Sequence, residues 1–328
     1  MKLIVSIGDI NGIGLEIFLK AVNQVFSENL NIDFTLSGNK KSINEYISLI
    51  KDKLNFNCFV ENDIHINNHK IEIKEIDTYS PIYFGKISPI AGKLAGESIE
   101  LSAKEVLNGN YDAILTLPIN KDAFNLANNN FPGHTEFLAS ICNVDSPLMI
   151  LCSQGINVAL VTIHEAIKNV PNLITTDILN IRFQQFFNSL VQDFAYAAPK
   201  IAVLSLNPHA GENGKFGSEE LDTIIPAIKN SYLKDHLFGP FPADGFFAHG
   251  SYKNYSGVLA MYHDQGLIPL KLLADGGGVN FTANLPIVRT SPDHGTAFEI
   301  SGQGVADHKS TYEAIILAKE IFMKRKKT

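Results

Sequence analysis

The chain has 328 residues, more than one ordinary core, so two domains of common size are expected. Hydrophobic residues at 45% against 19% charged exclude a disordered chain, and a net charge of −7 excludes a phosphate-neutralising surface for nucleic acid. No stretch approaches the roughly 20 apolar residues of a membrane helix, and Cys58, Cys142 and Cys152 lack metal-ligand spacing and suit reduced thiols, which together predict a soluble, cytoplasmic protein.

In chain order, Leu3 to Ile7 reads as a strand entered without a leader, followed by a Gly-rich turn, a helix from about Gly14 to Val25 and a strand at Ile32 to Leu36. The turn Gly8-Asp9-Ile10-Asn11-Gly12-Ile13-Gly14 lacks the G-x-G-x-x-G spacing of a dinucleotide fold, so only a tight turn into a helix is expected. The polar stretch Glu61 to Lys70 reads as an exposed loop or hairpin. Strands follow at Ile71 to Ile73 and Asp112 to Leu117, with a helix between them from about Gly92 to Leu107 that sets Ala95, Ile99, Ala103 and Val106 on one face.

A second series begins near Gly133, with strands at Leu148 to Leu151, Val158 to Val161, Ile201 to Leu206 and Ser256 to Met261. Thr176 is a candidate cap for a helix whose Leu179, Phe183, Phe186 and Leu190 form a packing stripe. A last helix, about Thr311 to Met323, is expected to return to the first sheet, and the basic run Lys324 to Lys327 suits its C-terminal dipole. Alternating strands and helices predict two α/β domains: residues 1–132 with 290–328, and residues 133–289.

Three histidines, His164, His209 and His263, each stand where a predicted strand runs out, which is where open α/β sheets bind ligands. Three imidazoles with an open fourth position are the pattern of a catalytic divalent metal site, whereas any one of them alone reads more readily as a strand-end cap or a cleft-lining residue. Zinc suits three imidazoles, as do cobalt, nickel or manganese, with magnesium also possible. Asp264 is placed to orient His263 as its hydrogen-bond partner. Asp244 is a candidate general base or metal-facing carboxylate, or else a helix N-cap.

Anion recognition needs fixed positive charge and donors. His134 and Thr135 precede a helix from Phe137 to Ile141 and suit an anion site at its N-terminus, with Thr135 as a plain N-cap the alternative. Lys271, Asn280 and Arg289 follow His263 in a stretch where Gly276-Gly277-Gly278 allows close backbone approach.

The segments Gly8-Asp9 with Gly12-Ile13-Gly14 and Glu16, Gly133-His134-Thr135-Glu136-Phe137-Leu138, Asn207-Pro208-His209-Ala210-Gly211-Glu212, Ala260-Met261-Tyr262-His263-Asp264-Gln265-Gly266, and Arg289-Thr290-Ser291 with Asp293-His294-Gly295-Thr296-Ala297 carry a resemblance. Across them the chain resembles the 4-hydroxythreonine-4-phosphate dehydrogenase family of pyridoxal phosphate biosynthesis. The resemblance implies a fold like isocitrate and isopropylmalate dehydrogenases, with an interdomain cleft and no Rossmann turn. It implies a homodimer whose interface lies on the second domain and whose active site is shared between chains. It implies a metal on His164, His209 and His263, and substrate on His134, Thr135, Lys271, Asn280 and Arg289. NAD or NADP is expected on His294, Gly295, Thr296 and Ala297, in a segment running through Gly302-Gln303-Gly304.

The implied reaction is metal-dependent oxidation of 4-phosphohydroxy-L-threonine to a β-keto acid that decarboxylates to 3-amino-2-oxopropyl phosphate, with Asp244 and Lys271 as catalytic candidates. Departures from the family pattern fall at Ile10, Asn11, Leu15, Leu117, Ile163, Glu165 and Gly277, the last replacing a frequent Arg. Alternatives are a dehydrogenase of a four-carbon sugar-acid phosphate such as threonate 4-phosphate, a three-His hydrolase or aldolase without nicotinamide, and a non-catalytic metabolite-binding protein.

Overall fold

The computed structural model describes residues 1–127, 131, 133–153 and 155–327; position 132, where the first segment is expected to end, lies outside them. The strands are β1 (Lys2–Ser6), β2 (Asp33–Gly38), β3 (Cys58–Val60), β4 (Ile64–Ile66), β5 (His69–Glu75), β6 (Ala113–Thr116), β7 (Leu148–Ser153), β8 (Ile156–Leu160), β9 (Ile201–Leu204), β10 (Leu237–Phe241), β11 (Gly257–Ala260), β12 (Val279–Ala283) and β13 (Arg289–Pro292). They belong to two compact units. Unit 1 comprises residues 1–147 and 285–322, and unit 2 comprises residues 148–284 and the chain from Met323 onward.

In unit 1 the strand order is β13-β6-β1-β2-β5-β4-β3. The first five run parallel, and β3, β4 and β5 form an antiparallel meander. The polar stretch at 61–70 is therefore hairpin, not loop: Ile66 pairs His69 across a two-residue turn in which Asn67 takes φ +51°. The central strands β1 and β6 bury nearly every residue, as a parallel strand covered on both faces must.

The helix Pro89–Leu107 begins three residues before the expected Gly92, because Pro89 is well suited to the first turn. Its Ile99, Ala103 and Val106 join Ile4, Ile114, Phe124 and Leu138 in one core. Phe137 and Ile141 of the helix His134–Ile141 pack on the same cluster, which is why residues 133–147 gather with unit 1. Gly92 is required here: a Cβ on it would stand 2.0 Å from the Ala123 carbonyl oxygen. The closing helix, Lys309–Arg325, buries Ala314, Ile315, Ala318 and Ile321, and the Ala314 carbonyl accepts from Thr290 of β13 at 2.9 Å.

Unit 2 orders its strands β10-β9-β11-β8-β7-β12, the first four parallel and the last two antiparallel additions. Leu179, Phe183, Phe186 and Leu190 of the helix Thr176–Gln192 are fully buried, as a packing stripe should be. Its cap is Thr175, not Thr176. Thr175 has the extended backbone a cap requires and accepts from the Ile178 amide, whereas Thr176 is already helical.

Candidate active site

Each parallel strand of unit 2 delivers one candidate residue just past its C-terminal end: Asp244 after β10, His209 after β9, His263 after β11 and His164 after β8. Because Leu160 pairs Ala260, Leu259 pairs Val203 and Leu204 pairs Phe241, these four corners lie side by side along one sheet edge. This is the edge at which parallel sheets bind ligands.

The rings of His164 and His263 stand with centroids 6.1 Å apart. His263 Nδ1 lies 2.7 Å from Asp264 Oδ1, a bond that orients the ring and leaves Nε2 outside that bond. His209 takes a different setting, its ring 6.3 Å from that of Phe216. Among the described residues no three His, Cys, Asp or Glu side chains gather closely enough to hold a metal ion, so two of the expected ligands come together and His209 does not join them.

His209 opens a left-handed turn. His209, Ala210, Gly211, Glu212 and Asn213 take φ of 53°, 53°, 74°, 43° and 57° in succession. Each non-glycine residue there costs about 1–2 kcal/mol, so the turn persists only because its surroundings hold it.

Asp244 is exposed in the first turn of the helix Ala243–Ala248, whose cap position is Pro242; it is not the N-cap. Lys271 is exposed near the end of the helix His263–Ala274, an element the sequence pattern did not reveal. Asn280 sits on β12 with Nδ2 3.4 Å from Met149 Sδ, while its Oδ1 is buried without a hydrogen-bond partner among the described residues.

Unit 1 holds the other anion-binding candidates. Arg289, only 1% exposed, donates from Nε and Nη2 to Thr116 Oγ1 at 3.0 and 2.7 Å. Burial lowers its guanidinium to about 9, countered by the Glu136 charge, so it stays cationic at neutral pH. His134 is held well below the ordinary imidazole range, chiefly by burial and then by the Arg289 charge. Its ring bonds the Leu117 backbone, and its Nε2 is sealed from solvent with no hydrogen-bond partner among the described residues. His134 is thus neutral beside a buried cation. Thr135 is the second residue of its helix, whose cap is Gly133, so Thr135 is not the N-cap. Lys121, whose charge also reaches His134, escaped the sequence reading; the available signal was its place shortly after β6.

The loop after β13 packs on the turn after β1. Gly12 is so close that a Cβ would lie 2.9 Å from Thr296, and the Ile13 amide donates to the Thr296 carbonyl at 3.0 Å. A Cβ on Gly295 would meet open space. Farther along, Lys20 Nζ donates to the Gly304 and Ala306 carbonyls and to Glu16, each within 2.9 Å, fixing the segment that follows His294 to Ala297. The turn itself is tight, as expected: Gly8 takes φ +66° and a Cβ there would strike the Pro118 carbonyl at 2.4 Å.

An α/β enzyme with polar residues ranked along the C-terminal edges of parallel strands in each of two units is the class these features define. No helix among the described residues is long and apolar enough to cross a membrane. The chain belongs to the family described as pyridoxal phosphate biosynthetic protein PdxA, whose model matches residues 31–318. It is 40% identical to a 4-hydroxythreonine-4-phosphate dehydrogenase of Bacteroides thetaiotaomicron over 98% of this chain and 88% of that protein. It is 37% identical to the enzyme of that name from Sulfurihydrogenibium sp., over 99% of both chains. The crystal structure of the Klebsiella pneumoniae enzyme of the same name superposes with a TM-score of 0.83 at 32% identity, covering 98% of each chain. The chain is accordingly an oxidoreductase of this family, with the α/β fold of its solved members.

Proposed function

We propose that this chain oxidises 4-phosphohydroxy-L-threonine with NAD or NADP, giving a β-keto acid that loses carbon dioxide to leave 3-amino-2-oxopropyl phosphate. The observation that carries the reading is the placement of His164, His263 and His209 past the ends of three adjacent parallel strands, in a chain of this family. Their donor chemistry fits a divalent ion. His164 and His263, whose ring centroids stand 6.1 Å apart, would hold the ion through their imidazole nitrogens. His209 completes the set in this proposal, with the two chains of a homodimer sharing the site. When bound, a divalent ion supplies Lewis-acid polarisation of the substrate oxygen and a nicotinamide supplies the hydride acceptor.

The residues of the chain bind and orient. Arg289 meets the substrate phosphate or carboxylate as a fixed fork, aimed by Thr116. His134 and Thr135 add polar contacts from the start of their helix, with Lys121 contributing charge. Asn280 offers its unpartnered Oδ1 to the substrate ammonium, while Lys271 and Asp244 are assigned to proton handling. His294, Gly295, Thr296 and Ala297 receive the nucleotide, Gly295 leaving the open space a ligand needs.

The test is NADH or NADPH absorbance when metal-loaded protein meets 4-phosphohydroxy-L-threonine, with threonate 4-phosphate assayed in parallel. Reduced nucleotide with the amino substrate preferred supports the assignment. Preference for the sugar acid moves it to the rival dehydrogenase, and turnover without nicotinamide moves it to a hydrolase or aldolase.

A further inference from the structure

The four strand corners of unit 2 are joined by hydrogen bonds that touch no candidate ligand directly. The Thr162 amide and Oγ1 both donate to the Met261 carbonyl, at 3.2 and 2.8 Å, tying the segment before His164 to the segment before His263. The Met261 amide donates to Gln265 Oε1 at 2.7 Å, and Gln265 Nε2 donates to the Ser205 carbonyl at 2.6 Å. That second bond crosses to the strand end that leads to His209. Ser205 continues the chain: its hydroxyl donates to the Asn207 carbonyl at 2.9 Å and its amide to the Phe241 carbonyl at 2.8 Å, just before Asp244.

On the far side, Glu220 clamps the approach to the left-handed turn. It is 1% exposed, its Oε1 accepts from the Leu206 and Asn207 amides at 2.8 Å each, and its Oε2 accepts from Asn207 Nδ2 at 3.0 Å. A Cβ on Gly211 would stand 2.7 Å from Glu220 Oε2, so the turn closes directly against this carboxyl.

We infer that Gln265 is a positioning residue that sets the spacing of the His263 and His209 corners, with Glu220 as the anchor of the second corner. A primary amide suits this place, because one partner is a backbone N–H and the other a backbone C=O, and an amide offers an acceptor and a donor in one rigid plane at any pH. Its orientation follows from those two partners, not from a choice of rotamer. The inference deepens the metal reading of the three histidines and rests on it.

Gln265→Glu keeps the acceptor for Met261 and replaces the donor to Ser205 with a carboxyl oxygen facing a carbonyl. Glu220→Gln, acting from the other end, turns an amide group toward Asn207 Nδ2. Both are studied as full-length protein by titration with Co²⁺, following visible absorption of the bound ion, with thermal melting of the metal-free chain as the folding control. Loss of an outer hydrogen-bond partner weakens metal sites about 10- to 100-fold. The expected result is a Co²⁺ dissociation constant raised about 10- to 100-fold in Gln265→Glu, with an altered absorption band and an unchanged metal-free melting temperature. Glu220→Gln is expected to shift in the same direction, and it carries the test if Gln265→Glu does not fold. Folded variants with the affinity and spectrum of the unsubstituted chain would overturn the inference while leaving the metal reading intact. An unsubstituted chain that takes up no Co²⁺ would overturn both.

Discussion

Burial raises the Asp9 carboxyl to about 6, against an ordinary value of 3.8, and the bond its Oδ1 accepts from the Asn11 amide offsets only part of that cost. The folded chain therefore keeps this proton up to about pH 6 while the unfolded chain has already released it, so stability falls as pH rises between those values and is level above them. The whole excursion amounts to about 3 kcal/mol. Asp9→Asn cannot titrate; the difference in unfolding free energy between the variant and the parent should move in the variant's favour by roughly that amount from pH 4 to pH 7. A pH-independent difference in denaturant titrations would mean Asp9 is ionised in the fold. Arg289 makes a second prediction. A lysine cannot supply two donors to Thr116 from one plane, so Arg289→Lys should raise the substrate KM about 10- to 100-fold, with a smaller change in kcat. An unchanged KM removes Arg289 from the substrate site. In the sequence Arg289 stood out as a cation near a glycine run and as part of the Arg289-Thr290-Ser291 motif; that it would be fully buried on a threonine of another strand was not visible, because that pairing joins residues far apart in the chain.

Among elements, the contact between the helices Pro89–Leu107 and Lys121–Leu126 shows two effects of one substitution in opposition. Gly92→Ala gains up to about 1 kcal/mol of helix propensity. The added methyl would overlap the Ala123 carbonyl carbon and oxygen at 2.3 and 2.0 Å, and backbone does not yield as a flexible side chain would. Overpacking at such a site costs about 3 kcal/mol or more, so the steric term wins and the melting temperature should drop by several degrees. A variant at least as stable as the parent would mean the two helices can separate. The elements that the sequence concealed share a cause. The strand β10 contains Gly239-Pro240, which argues against a strand, yet the structure places it at the sheet edge, paired with β9, where proline is tolerated. β12 and β13 are short and mixed in polarity, and the helix His263–Ala274 carries Pro269 in its interior. The strongly apolar runs, by contrast, became β1, β6, β9 and β11 nearly where periodicity set them.

For the molecule as a whole, the last residues decide more than their charge suggested. Lys324 to Lys327 read as cations suited to a helix end, but Arg325 Nε donates to Asp193 Oδ1 at 2.6 Å within unit 2, where Asp193 is nearly inaccessible and also receives the Ser189 hydroxyl. Arg325→Ala removes the guanidinium partner of a buried carboxyl and should cost about 3 kcal/mol, whereas Lys326→Ala, at an exposed position, should cost almost nothing. Equal melting temperatures for the two variants would show the ion pair to be idle. By itself the sequence determined the α/β class, the return of the last helix to unit 1 and the tight first turn, because apolar periodicity and residue type are local properties, and its motifs carried the resemblance to the PdxA family. Tertiary structure decided that four parallel strand ends stand in a row, that His164 and His263 meet while His209 turns through a left-handed corner, and that Gln265 and Glu220 brace them. Those outcomes depend on strand order and on hydrogen bonds between residues dozens of positions apart, which no local pattern encodes.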